Sequence, residues 1–285
     1  MNGVIDLFRG RSLLISSKHG KHQSMAKSLE SAFGVNVVHD LEIDTDQFGT
    51  FAGDVERRMD AISALKVKCL FGMDLYGFDL GVATEASFGP HPSFLWSNAH
   101  EEFIILIDRL NNLEIVEKTT TLETNFNHIV VSEWSELLEF GKKVKFPSHA
   151  LILKAKDKMG DDHYIKGIQD EDSLRIAFES LMDISLEVHA ETDMRAMNNP
   201  TRLKVISELC LRLIEKVLST CPQCAKPGFG DVSFRGGLPC ESCGNPTNSV
   251  LSKLTKCSDC GFETELLNPN NRFFEEPMFC DFCNP

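Results

Sequence analysis

Eight of the ten cysteines stand in four Cys-x-x-Cys pairs: Cys221/Cys224, Cys240/Cys243, Cys257/Cys260 and Cys280/Cys283. Two thiolates three positions apart can grip one side of a tetrahedral ion while the chain turns beneath them. Fifteen residues separate the first pair from the second, and nineteen the third from the fourth. Both gaps match the spacing of a four-cysteine zinc site. Sequential pairing into two ribbons is therefore the expectation, and a cross-braced arrangement of alternate pairs is the open alternative. The turn beneath each pair favours a residue tolerant of positive φ just after the second cysteine. Gly244, Gly261 and Asn284 meet that demand, and Ala225 does not. Disulfides would need an oxidising compartment, and the short apolar patch Leu13–Ile15 after Arg9 and Arg11 is no export signal. A thioredoxin-like dithiol would need a βαβ setting that residues 221–285 do not offer. With cysteine alone as ligand, the expected cofactors are two structural zinc ions in closed sites. Cys69 and Cys210 sit in apolar helical patterns and read as core.

A second chemistry is suggested where charged residues follow β-like runs, because ligands of α/β sheets bind beyond the carboxyl ends of strands. In SSKHGKHQS, residues 16–24, Lys18, His19 and Lys21 flank a glycine and would make a phosphate cradle. The bland alternative is a charged, solvated helix start. Glu85 follows a run ending at Thr84, and Glu191, Asp193 and Arg195 follow another. Acids at strand ends can hold a hard divalent ion such as magnesium or orient a water. They can equally cap the next helix, as Asp193 or Asn199 would. Asp54 and Glu56, in the first turn of a predicted helix, either favour its dipole or supply further metal ligands.

The elements that must position these groups are those of an α/β domain over residues 1–198 with a mixed sheet. Predicted strands are 12–16, 35–39, 80–84, 103–108, 113–117, 127–131, 149–154 and 184–190. The runs 103–108 and 113–117 are too close for a helical crossover, so they should be antiparallel. Helical stripes comprise Met25, Leu29 and Phe33 before Gly34, then Val55, Met59, Ile62 and Cys69, then Leu174, Phe178 and Leu181. A connecting helix over 199–220 opens at Asn199-Pro200 with the stripe Leu203, Ile206, Cys210, Leu213 and Val217. Residues 221–285 form a zinc-ribbon module too poor in apolar residues to fold without metal.

Composition narrows the partners. The net charge is −13, and residues 221–285 hold five Lys/Arg against eight Asp/Glu, so both parts are acidic. Nucleic acid is disfavoured, since its affinity is built on Lys and Arg. No apolar run approaches the roughly 20 residues of a membrane span. A soluble, cytoplasmic protein is the expectation.

The segments SKHGK, FGTF, TEASFGPHP, TNF, FPSHA, ETDMRAMNNPTR and CPQCAKPGFG resemble a bacterial domain-of-unknown-function family over nearly the whole chain. Residues 12–90 also resemble the inosine-triphosphatase-like and Maf-type nucleotide pyrophosphatases. That resemblance implies a magnesium-dependent enzyme with Lys18 or Lys21 on phosphate, and Asp54 or Glu56 together with Glu85 on metal. The chain departs from that pattern at Thr84-Glu85-Ala86-Ser87, where an Asp-Asp-Ser-Gly run would stand. Two functions follow as expectations. One is a metal-dependent hydrolase of a nucleotide or other phosphorylated small molecule, with Glu191 or Asp193 as base. The other is a non-catalytic ligand sensor or adaptor whose ribbons dock a protein partner.

Overall fold

In the computed structural model, which describes residues 2–17, 20–39, 60–91 and 96–285, Leu13, Leu14 and Ile15 are all buried. Such an unbroken apolar run suits a strand covered on both faces. After a short helix α1 (Asn2–Asp6), these residues form β1 (Ser12–Ile15). β1 lies parallel between β2 (Asn36–Val38) and β3 (Leu80–Pro90). β3 then continues antiparallel into β4 (Asn98–Asp108) and β5 (Leu113–Thr121), giving the order β2-β1-β3-β4-β5. The sheet is mixed, with the last two strands antiparallel, as their short connection demanded.

Helix α2 (Ala26–Phe33) buries Leu29 and Phe33 and ends at Gly34, whose φ of 65° is left-handed. Helix α3 (Ala61–Tyr76) starts at Asp60, whose carboxylate accepts from the backbone N–H groups of Ile62 and Ser63 at 3.0 Å. The expected stripe of α3 is corrected. Val55 and Met59 lie outside the described residues and Ile62 is exposed, while Leu65, Cys69 and Met73 pack on Leu14, Ala83, Phe103 and Ile105. A Cβ on Gly81 would meet Met73 Sδ at 2.7 Å, so glycine in β3 permits the helix to approach this closely.

Four antiparallel strands make a second sheet, β6 (His128–Val131), β7 (Leu151–Lys156), β8 (Asp162–Ile168) and β9 (Val188–Thr192), in the order β6-β9-β7-β8. Helices α4 (Trp134–Lys143) and α5 (Glu171–Met182) share one core with it, built from Leu137, Phe140, Leu174, Phe178 and Leu181 against Leu151, Leu153 and Ala190. Helix α6 (Pro200–Leu218) is capped by Asn199, whose Oδ1 accepts from Arg202 N–H at 3.0 Å. Packing divides the chain into two units inside this helix: Asp6–Leu213, and Ile214–Pro285 with the first few residues. The second unit holds an antiparallel sheet of β10 (Asp231–Gly236), β11 (Val250–Lys256) and β12 (Glu263–Leu267) in sequence order.

Two strand boundaries differ from expectation in ways that matter for the site. β3 does not stop at Thr84; it runs through Glu85 to Pro90, because β4 starts five residues earlier than the apolar run suggested and pairs with it throughout. Glu191 likewise lies inside β9 rather than beyond it. Among the described residues, no helix is long and apolar enough to cross a membrane.

Candidate metal centres and a buried charge network

The eight paired cysteines converge in two groups of four: Cys221, Cys224, Cys257 and Cys260, and Cys240, Cys243, Cys280 and Cys283. Within each group all Sγ atoms lie within 4.8 Å of one another. The closest pairs are Cys221–Cys260 at 3.7 Å, Cys224–Cys257 at 3.8 Å, Cys240–Cys283 at 3.8 Å and Cys243–Cys280 at 3.7 Å. A regular tetrahedron of thiolates about 2.3 Å from zinc has edges of about 3.8 Å, so both groups fit a closed tetrathiolate zinc site. The sulfurs are far too distant for disulfides, and all ten cysteines are thiols.

The pairing is cross-braced, first pair with third and second with fourth, which overturns the sequential expectation. Strand register supplies the reason. Asp231 at the start of β10 lies opposite Lys256 at the end of β11, so Cys221/Cys224 ahead of β10 meet Cys257/Cys260 just after β11. At the other end, Ser252 pairs with Leu267, and Cys240 forms a bridge with Glu275. This brings the chain that follows β12 to Cys240/Cys243. The two centres therefore sit at opposite ends of one small sheet.

Each knuckle closes through the same hydrogen bond, from Ala225, Gly244, Gly261 and Asn284 N–H to the carbonyl of the first cysteine of its pair, at 2.8–3.0 Å. Ala225 takes φ 59°, beside Gly244 at 73° and Gly261 at 75°. The knuckle turn thus overrides alanine's preference at the one position where the sequence lacked a tolerant residue. Asn284 is not among the left-handed residues.

The second feature is a set of ionic groups inside the Asp6–Leu213 unit. Strand alternation divides it between the two faces of the first sheet. Glu85 is opposite Phe103, which packs under α3, and Lys68 of α3 donates to its Oε2 at 2.6 Å. Glu102 is opposite Ala86 and so points to the other face. There Arg202 grips it through two hydrogen bonds of 3.0 and 3.1 Å, and His100 Nε2 lies 2.7 Å from the same carboxylate. Glu102, Arg202 and His100 are all at most 3% exposed. Burial pushes the Glu102 carboxyl up, but the charge of Arg202, the His100 hydrogen bond and the charge of Lys21 outweigh it and hold it at about 2. Phe88 stacks on His100 at 4.6 Å, with the Arg202 guanidinium 5.6 Å from the same ring.

Lys21 lies between these two pairs. β1 ends at Ile15 and Ser16 N–H takes the carbonyl of Val82, which leaves the next carbonyl on that side of β3, Thr84, without a strand partner. Lys21 Nζ donates to it at 2.8 Å. Burial, then repulsion from Arg202, pushes the Lys21 ammonium down to about 8, although Glu102 and Glu85 pull the other way. Thr84 Oγ1 is buried with no hydrogen-bond partner among the described residues.

Of the residues singled out by sequence, the structure brings Lys21 and Glu85 into one electrostatic neighbourhood. Glu191 is in the second sheet, paired with Lys154 Nζ at 2.7 Å. Asp193 and Arg195 bind each other: Arg195 Nη2 donates to Oδ2 at 2.6 Å, and Asn198 Nδ2 donates to the same oxygen at 2.7 Å. Arg202 links this turn to the network by donating to the Met194 carbonyl at 2.7 Å. Lys18, His19, Asp54 and Glu56 lie outside the described residues. Lys68, His100, Glu102 and Arg202 were not anticipated. Their trace in the sequence is a charge inside an apolar pattern, Lys68 within ALKVKCLF and Glu102 just before FIILI.

Together the geometry defines an α/β protein with a buried ionic network and a cross-braced module of two four-cysteine groups whose geometry fits metal ions. The chain belongs to the family described as Domain of unknown function (DUF6671), whose model matches residues 68–285. The matched stretch includes both four-cysteine groups, Lys68, Glu85, Glu102 and Arg202, and starts after Lys21. No curated protein matches the chain. Nothing in these comparisons supports the resemblance of residues 12–90 to nucleotide pyrophosphatases.

Proposed function

We propose that the Asp6–Leu213 unit binds a small phosphorylated ligand at the carboxyl end of β1, without turning it over, and that the tetrathiolate module holds two structural zinc ions and docks a protein partner. The observation that carries this reading is Lys21. It is a buried ammonium whose hydrogen bond goes to a neutral carbonyl, beside two carboxylates already held by Lys68 and Arg202. A buried charge without a dedicated counter-ion is costly, and a phosphate oxygen would supply one. The hydroxyl of Thr84 offers a further hydrogen-bonding group.

A magnesium-dependent hydrolase needs carboxylates able to take the ion. Glu85, Asp193 and Glu191 are instead occupied by Lys68, Arg195 with Asn198, and Lys154. This favours binding over hydrolysis.

The test is calorimetry of the zinc-loaded chain with inorganic phosphate and with nucleoside mono- and triphosphates, with and without magnesium, followed by chromatography of the mixtures. Binding heat without product, weakened at least tenfold in Lys21→Met, is the expected result. Absence of heat with every probe overturns ligand binding. A magnesium-dependent product that Glu85→Gln abolishes overturns the non-catalytic reading in favour of the hydrolase.

A further inference from the structure

We propose that edge strand β10 pairs with β10 of a second copy of this chain, antiparallel about Ser233, to join the two small sheets into one of six strands. All six residues of β10 are exposed, and its one sheet neighbour among the described residues is β11. A solvent-facing edge presents unpaired N–H and C=O groups and templates further pairing unless charge, proline or a bulge blunts it.

The sequence Asp231-Val232-Ser233-Phe234-Arg235 is complementary to itself when reversed. With Ser233 opposite Ser233, each Asp231 faces Arg235 of the other copy and each Val232 faces Phe234. That gives two opposite-charge pairs on one face of the sheet and two apolar pairs on the other, the cross-strand combinations that stabilise antiparallel ladders. Val232 is 46% exposed and Phe234 62%. Leu266, 59% exposed, lies on the same face, since Phe234 pairs with Lys253 and Lys253 with Leu266. Pairing would extend this apolar face across the two-fold axis.

The other edge does not compete. β12 reads Glu263-Thr264-Glu265-Leu266-Leu267, and pairing it with itself about its centre would set Glu265 against Glu265. Like charges directly opposite are destabilising. A β10–β10 contact is isologous and closes on itself, whereas β10 against β12 would propagate into a filament. The contact is small, so the dimer should be weak and concentration-dependent.

Asp231 and Arg235 also reach Lys216 at 2.9 Å and Glu265 at 3.0 Å within their own chain. The experiment must therefore separate pairing between copies from local effects. Sedimentation of the zinc-loaded full chain over a wide concentration range should show a monomer–dimer equilibrium. Asp231→Arg alone and Arg235→Asp alone each place like charges at both ends of the interface and should weaken the dimer about tenfold. Mixing the two variants restores opposite charges at both ends, and heterodimer should reappear at wild-type affinity. Zinc content and thermal melting of each variant report that the module remains folded. A wild-type chain that is monomeric at every concentration overturns the proposal, as does a dimer indifferent to either substitution or variants whose mixture gains no affinity.

Discussion

Lys21 is where a stabilising role and a binding role make opposite predictions. Its folded-state ammonium sits at about 8 against an ordinary 10.5, so the surroundings disfavour the charged form by about 3 kcal/mol. The unfolded chain therefore holds more protons than the folded one between these values. Stability contributed by this group rises as pH climbs from about 8 to 10.5, and the whole penalty is present below 8. Replacing it by Met should raise stability at pH 7 by about 1–3 kcal/mol, the hydrocarbon keeping the volume without the charge. A fall in urea midpoint would instead mark Lys21 as a structural tie. If a phosphate supplies the missing counter-charge, binding above pH 8 must take up a proton, and affinity should decline as pH rises further. Calorimetry in buffers of different ionisation enthalpy reads that uptake directly. Arg202 is the opposite case. Its removal as Arg202→Met leaves the buried Glu102 with the His100 contact and the nearby Lys21 charge but without its bidentate partner, and should cost about 3–5 kcal/mol. Arg202→Met combined with Glu102→Gln should recover a large part of that loss, measured by chemical denaturation.

At the scale of elements, the closeness of α3 to β3 is set by the missing side chain of Gly81. A methyl group there would sit 2.7 Å from Met73 Sδ and 3.2 Å from Cys69 Sγ, both in the buried face of α3. Gly81→Ala should cost about 1–3 kcal/mol by overpacking, and Gly81→Ala with Met73→Ala should cost less than the two separately. Thermal melts of the four chains measure that coupling. Such contacts mark the limit of what was legible in the sequence. The mixed sheet, the antiparallel β4–β5 pair, the stripe of α2 and the Asn199 cap followed from local periodicity and turn chemistry. The length of β3 did not, because polar residues alternate through its second half and only its partner β4 sustains it. The same alternation decided the site. Glu85 was legible as an acid beside an apolar run, but its Lys68 partner stood in what reads as an apolar helix, and Glu102 lies just ahead of the predicted strand 103–108, in the part of β4 that apolar content does not mark. β8, half exposed along its length, carried too little contrast to be found.

For the whole chain, the cross-brace determines how the metal module folds and fails. Each centre spans a long separation, with 32 residues between Cys224 and Cys257 and 36 between Cys243 and Cys280. The two loops interlock, so neither centre can form as a local knuckle pair while the sheet between them is absent. Metal binding and formation of the sheet should therefore be coupled. Spacing could not distinguish this from two sequential ribbons, because gaps of fifteen and nineteen residues suit either arrangement until strand register is known. Replacing both Cys257 and Cys260 by Ser tells them apart. The cross-brace predicts one zinc retained of two and Cys221 with Cys224 newly reactive toward alkylating reagent, while Cys240, Cys243, Cys280 and Cys283 stay protected. Sequential ribbons would instead release Cys280 and Cys283 and leave Cys221 with Cys224 protected by Cys240 and Cys243. Mass-spectrometric mapping of the labelled thiols, with zinc counted by elemental analysis, gives a different pattern for each. Because the cysteines must lose their protons to bind metal, acid should release zinc from both centres and expose all eight thiols in the intact chain. Release in two separate steps would show that each end of the small sheet can open without the other.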